Sequence, residues 1–432
     1  MKLVCALIGI ILFQGVAAAQ IADIYWTTSP VPYGRVLKHT SLRLDTLQLF
    51  LPVEDETNYI GLDSWGDNPA GLIDNIGHTV KFTWGHSSYG SDADFSRELS
   101  GLYFSHSSES AALEVEGLRD AYIRSAPEQL GENIGGSAAF GGKTNNLLFG
   151  ALWTGTRDES NSWGYNFRTT SDRILLGGGT TFKFSNNALT LGVDGGVNKS
   201  RDSYDFAYDL NWKGPEYGFQ AIMKFNGGAL GLKAHGGEMD SESVYSYARY
   251  KYNDSYQTGA VRLFKRFESI PVNFGAEWES TKRTYEANFD YVALPSEGYK
   301  SEYFYDIKAA GLAWRLEPGL LGFEVREETN NRAYSGTSTN SGLYRTYAAG
   351  FEYPVLSHVG IILSYLRGTS KWTYTDSSNP LNCSSGSSSL YSLGGGLTLK
   401  PSDFIALVAS YKYIDVKGTM GSSLKVQTSF YF

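Results

Sequence analysis

The stretch Leu424–Phe432 alternates without a break. Leu424, Val426, Thr428, Phe430 and Phe432 fall on one side, and Lys425, Gln427, Ser429 and Tyr431 on the other. Successive side chains of a strand point to opposite faces, so the stretch has one apolar and one polar face. The same period recurs along the chain. Tyr217, Phe219, Ala221, Met223 and Phe225 alternate with Gly218, Gln220, Ile222 and Lys224, and Val272, Phe274, Ala276 and Trp278 with Asn273, Gly275, Glu277 and Glu279. Leu321, Phe323 and Val325 alternate with Gly322, Glu324 and Arg326, and Tyr303, Tyr305, Ile307 and Ala309 with Phe304, Asp306, Lys308 and Ala310. A soluble sandwich would turn the apolar set into a core, whereas a membrane barrel turns it to lipid and keeps the charges in its lumen.

The joins between segments favour the barrel. Strands are expected near 78–88, 135–144, 146–156, 174–184, 188–200, 204–213, 216–226, 229–238 and 243–252. Further strands are expected near 256–266, 271–281, 302–316, 319–329, 343–353, 356–367, 388–400, 403–415 and 421–432. Tight turns fall at Asn186–Asn187, Gly214–Pro215, Glu268–Ser269, Glu317–Pro318, Pro354–Val355 and Pro401–Ser402, and longer polar connections at 157–173, 282–301, 330–342 and 368–387. The two kinds of join have opposite parity, the pattern of barrels with short periplasmic turns and longer outer loops. The expected fold is an all-β transmembrane antiparallel barrel of about 18 strands (range roughly 14–20) with an N-terminal plug-like segment. Segment 89–134 is read either as an outer lid or as a strand pair at Leu99–His106 and Ala111–Gly117.

Composition supports this class. Mean hydropathy is −0.26, and no segment after residue 19 approaches the apolar run of a membrane-spanning helix. The chain is rich in Tyr (30) and Phe (23), and amphipathic aromatics favour the two membrane–water interfaces. The net charge of −8 gives no basic footprint for nucleic acid. Lys2, an apolar run from Leu3 to Val16 and Ala17–Ala19 have the three parts of a secretory signal peptide, expected to be cleaved between Ala19 and Gln20. The expected domains are therefore a signal peptide (1–19), a periplasmic or plug segment (20–77) and the barrel (78–432). Cleavage would leave Cys383 alone, with no intrachain disulfide.

The terminal strand resembles the closing strand of bacterial outer-membrane barrels, which implies that the barrel-assembly machinery reads Phe430 and Phe432. Asn68-Pro69-Ala70-Gly71-Leu72, shortly before the first expected strand, resembles the FadL-type family of outer-membrane channels for hydrophobic compounds. That resemblance implies an N-terminal segment folded inside the barrel, with Asn68, Pro69, Ala70 and Gly71 in the plug or gate. It also implies passive uptake of small hydrophobic molecules across the outer membrane. Two other functions fit a barrel: a general porin for hydrophilic solutes, or a non-transport barrel that anchors surface loops or a periplasmic partner.

A charge facing mid-bilayer lipid costs about 2–4 kcal/mol, so alternation is expected to turn Glu277, Glu279, Asp306, Lys308, Glu324, Arg326, Glu328 and Lys425 into the lumen. Both signs occur, so pairing across the lumen is expected before ion selectivity. No G-x-S-x-G elbow or H-E-x-x-H motif is present, and the six histidines lack metal-ligand spacing. An enzyme, a metal site and a cofactor are not expected. The expected partners are outer-membrane lipid, the assembly machinery and a small-molecule substrate.

Overall fold

The computed structural model describes Ile60, Leu62, Asn68–Asp74 and residues 77–432, apart from short stretches at 90–94, 126–127, 163–164, 205–208, 246–247, 268, 292–296, 335–337, 377–382 and 417–418. The expected signal peptide and most of segment 20–77 lie outside the described residues.

Eighteen antiparallel strands close into one barrel. They are β1 (Thr79–Tyr89), β2 (Phe95–Ser107), β3 (Ala111–Ser125), β4 (Glu128–Thr144), β5 (Leu147–Ser162) and β6 (Tyr165–Phe184). Next come β7 (Asn187–Tyr204), β8 (Asp209–Phe225), β9 (Gly228–Tyr245), β10 (Ala248–Arg266), β11 (Val272–Tyr291) and β12 (Glu297–Leu316). The circuit ends with β13 (Gly319–Tyr334), β14 (Ser338–Leu356), β15 (Val359–Asp376), β16 (Ser384–Ser402), β17 (Ile405–Val416) and β18 (Thr419–Tyr431). Each strand pairs with its chain neighbours, and β1 closes the circuit against β18 from Thr79↔Tyr431 to Tyr89↔Gly421. Closure leaves no free edge, so the backbone polar groups of the wall are satisfied inside the sheet as a bilayer demands.

The expected number of strands is met, but the division differs. Expected strands 204–213 and 216–226 fall largely within the single strand β8, and 243–252 and 256–266 within β10. The pair at Leu99–His106 and Ala111–Gly117 exists as β2 and β3, so 89–134 is wall for most of its length. Gly214–Pro215 is not a turn. It lies within β8, where the β8–β9 ladder skips from Lys213↔Asp240 to Glu216↔Gly237. Proline cannot donate to a ladder, and a strand absorbs it where pairing is interrupted.

Tight turns gather at one rim. Asn145, Ser185 and Gly227 adopt left-handed backbone there, a conformation small polar residues and glycine tolerate. At the other rim the expected long connections are mostly strand. Segment 368–387 extends β15 and β16, with Trp372 opposite Gly386 and Tyr374 opposite Ser384.

The outer face carries the apolar belt. Phe82, Trp84, Trp153, Trp278, Leu312, Trp314, Phe323 and Val325 are each 44–50 % exposed on it. Many strands run to 16–20 residues, beyond the roughly ten that cross a bilayer. Towards the outer rim their outward faces become charged and paired, as in Arg119–Glu132 (2.5 Å), Lys300–Glu286 (2.9 Å) and Arg345–Glu327 (2.8 Å). An edge-free antiparallel barrel with this belt is the architecture of a Gram-negative outer-membrane protein.

Candidate functional site: the lumen and its seated segment

The inner faces of β4 to β7 carry a patch of glycines. Gly141 stands directly opposite Gly150, Gly150 opposite Gly177, and Gly179 opposite Gly192. Without side chains these positions leave a shallow seat, which a short 3-10 helix, Pro69–Asp74, occupies from the lumen side. A Cβ on Gly150 would overlap the Pro69 carbonyl, and one on Gly177 would overlap the Asn68 side chain. A Cβ on Gly141 would lie 2.9 Å from Leu72 Cβ, and one on Gly192 2.6 Å from a Leu62 methyl.

Asn68 is fully buried and holds the segment at two levels. Its Oδ1 accepts from Ala70 N (3.0 Å), the capping bond that opens the helix, while Pro69 occupies the first helical position. Its Nδ2 donates to Val193 O (3.1 Å), with Gly178 O at 3.5 Å. Those carbonyls belong to the wall, and a lumen side chain reaches them because Gly177 and Gly192 place nothing in the way. Gly71 N donates to Asn68 O at 3.1 Å. Ile60, Leu62, Ala70, Leu72 and Ile73 then join Ala139, Leu148, Leu152 and Leu175 in one buried apolar cluster. The glycines of this seat form no local motif in the sequence. The inward parity of glycines on four successive strands is the signal that identifies them.

Above the seat the lumen wall is charged and cross-linked. Arg173 donates to Glu216 (2.8 Å), with His235 3.7 Å from the same carboxylate and Tyr256 Oη at 3.5 Å. Glu277 pairs with Arg262 (3.0 Å) and Glu279 with Lys233 (3.4 Å). Arg326 donates to Glu328 (2.5 Å), which also accepts from Tyr305 Oη (2.8 Å). Glu324 is buried on this face, and Lys425 shares the inner parity of β18 with Ser423, Gln427 and Ser429. The paired positive and negative groups offset one another locally, and ligation would need acids or histidines to converge. Among the described residues no such metal-holding group occurs.

Asp306 and Lys308 require a correction. Lys308 stands opposite Trp278 and Glu327, on the outer face with Phe304, Leu312 and Trp314. The inward set of β12 is Tyr303, Tyr305, Ile307 and Ala309, the residues whose apolar character suggests lipid. The physical reason is position along the strand. Lys308 lies level with Trp278, where the apolar belt gives way to paired charges, so facing outward does not bring it to mid-bilayer.

At the seam, Phe430 packs edge-on against Phe82 on the outer face (centroids 6.2 Å). Phe432 is 75 % exposed, and its N donates to His78 O at 3.1 Å.

No protein-family model matches the chain, and no curated protein matches it in sequence. Solved outer-membrane proteins share the barrel architecture at low similarity. The siderophore receptor PirA from Acinetobacter baumannii is 7 % identical with a TM-score of 0.45, over 83 % of this chain and 81 % of that one. PirA from Pseudomonas aeruginosa is 9 % identical with a TM-score of 0.43, over 82 % and 81 % of the two chains. A Pseudomonas aeruginosa FadL homologue is 10 % identical with a TM-score of 0.37, over 84 % and 93 %.

Proposed function

We propose that this barrel is an outer-membrane channel for passive uptake of small hydrophobic molecules, gated by its N-terminal segment. The observation that carries the reading is the seat. Asn68, Pro69, Ala70 and Gly71 lie inside the lumen against a glycine patch shaped to them. A wall that only enclosed an open pore would have no use for opposed glycines, which weaken strands.

The lower lumen supports the substrate class. Ile222, Phe264, Leu320 and Ile362 face inward near the tight-turn rim and are at most 7 % exposed. The charges named above them are paired within the wall. Movement of the seated segment would open the route, and the solute would pass down its own gradient.

The test is single-channel recording in planar bilayers of the full-length protein and of a variant lacking residues 20–74. Rare, small openings that become large and steady on deletion support the gate. Large steady openings in the intact protein would instead support a general porin for hydrophilic solutes.

A further inference from the structure

We infer that the inner wall just inside the outer mouth is a stacking site for a planar aromatic solute. The inference rests on the channel reading above and specifies what the channel admits. Six rings form a connected arc across β8, β10, β11 and β12. Trp212 lies 5.8 Å from Tyr252 and 6.4 Å from Tyr285, centroid to centroid. Tyr252 lies 6.4 Å from Tyr285 and from Phe289, Tyr250 5.4 Å from Phe289, and Tyr285 6.3 Å from Tyr299. The rings face the lumen: Tyr285 stands opposite Asp254 and Ser301, both buried, and Tyr250 opposite Phe289. Small residues lie among them, with Ser241, Ala287 and Ser301 at most 5 % exposed.

Neither ordinary reason for aromatics in a barrel accounts for the arc. The interfacial girdle points outward, as Trp278, Phe304 and Trp314 do, and these six point inward. Core aromatics are fully buried, whereas each of these inward-facing residues is only partly buried. Partly exposed aromatic residues in a vestibule favour an aromatic partner, and aromatic pairs at these separations gain about 0.5–1.5 kcal/mol beyond simple burial.

The polar groups around the arc favour a flat ring over a sugar. Recognition of hydroxyls needs acceptors at the ring edges, and the carboxylates here are committed. Asp202 accepts from Trp212 Nε1 (3.0 Å) and Thr169 (2.8 Å), which also fixes the indole. Asp254 accepts from Arg283 Nε (2.8 Å). At the lower edge the Arg332 and Arg283 guanidiniums lie 4.3 Å and 5.9 Å from the Tyr303 centroid. The Arg332 guanidinium at that border suits an electron-rich ring or one with an anionic substituent. The solute would slide face-on along Trp212, Tyr252 and Tyr285 before meeting the charged wall below.

The test is titration calorimetry of 2-naphthoate into full-length protein in nanodiscs, with empty nanodiscs subtracted. Cyclohexanecarboxylate and maltose serve as comparison probes. Saturable naphthoate binding at least tenfold tighter than cyclohexanecarboxylate is expected, with no maltose binding. Trp212→Ala and Tyr285→Ala should each weaken naphthoate by about two- to tenfold, the range of one lost ring contact. Tyr252→Phe with Tyr285→Phe, which keeps both rings, should stay within twofold and covers the case in which an alanine variant does not fold. Equal binding of cyclohexanecarboxylate, binding of maltose in place of naphthoate, or naphthoate affinity unchanged by ring removal would each overturn the site. Loss of naphthoate binding in a channel that still opens on plug deletion would remove the aromatic site and leave the gate standing. Naphthoate binding with conductance indifferent to the plug would do the reverse.

Discussion

Replacing Asn68 by alanine removes the Nδ2 bond to Val193 O and the Oδ1 cap on Ala70 N, at 3.1 and 3.0 Å. Each bond contributes about 1 kcal/mol net, and the buried Ala70 N–H left without its acceptor adds roughly another. The seated state should therefore lose about 3 kcal/mol, equivalent to roughly a hundredfold shift towards the unseated state. The apolar contacts of Leu62, Leu72 and Ile73 remain, so the variant should open often without losing the segment. Gly150→Ala approaches the same outcome from the wall, since its new Cβ would meet the Pro69 backbone, which cannot rotate away. Single-channel recording should show open probability rising about a hundredfold in N68A, and rising likewise in G150A, with unit conductance equal to that of the plug deletion. Folding is checked by heat-modifiable gel mobility. Two folded variants that gate like the parent would refute the assignment of Asn68 as a latch.

The buried Arg173–Glu216 pair makes a second prediction: Glu216→Ala should cost about 3–5 kcal/mol, and Arg173→Met with Glu216→Leu should recover most of it, read from urea unfolding in liposomes. The outer register predicts that Phe323→Arg costs about 2–4 kcal/mol while Glu327→Arg costs under about 1, because the first lies in the apolar belt and the second above it. Equal costs at both positions would mean that the belt is misplaced. Deleting Phe432 removes one seam bond and an exposed ring, so refolding into liposomes should be nearly unchanged. Outer-membrane accumulation in cells should fall several-fold if the terminal aromatic is read by the assembly machinery, and unchanged accumulation would exclude that role.

Local alternation makes β18, β11 and β13 legible in the sequence, because each opposes an apolar set to a polar one over a stretch of its length: Leu424–Phe430, Val272–Glu279 and Leu321–Arg326. β12 is different. Its inward residues are tyrosines, Ile307 and alanines, and its outward ones include Asp306 and Lys308, so a parity argument alone inverts it. What decides the matter is height on the barrel, which depends on register with Trp278 and Glu327 in neighbouring strands. Local turn chemistry misleads at Gly214–Pro215, where a signal that ordinarily breaks a strand is absorbed by a two-residue gap in one ladder. Asn68-Pro69-Ala70 was visible as a motif, but its seat was not. Gly141, Gly150, Gly177 and Gly192 come from four strands, and only their alignment across the sheet makes them one surface.

The order of pairing concentrates the entropy of closure in one place. Every junction but one joins strands adjacent in sequence, through turns or loops of a few residues. The β1–β18 junction joins positions about 350 residues apart, and ring-closure entropy makes it costlier than a hairpin by about 3 kcal/mol. The wall can thus grow hairpin by hairpin as an open, curling sheet whose last act is to zip a single long-range seam. The seated helix ends at Asp74, only a few residues before β1 in the chain. The segment that lies in the lumen thus leads into the strand that closes last, which places its seating next to closure of the wall in assembly and leaves it able to unseat afterwards.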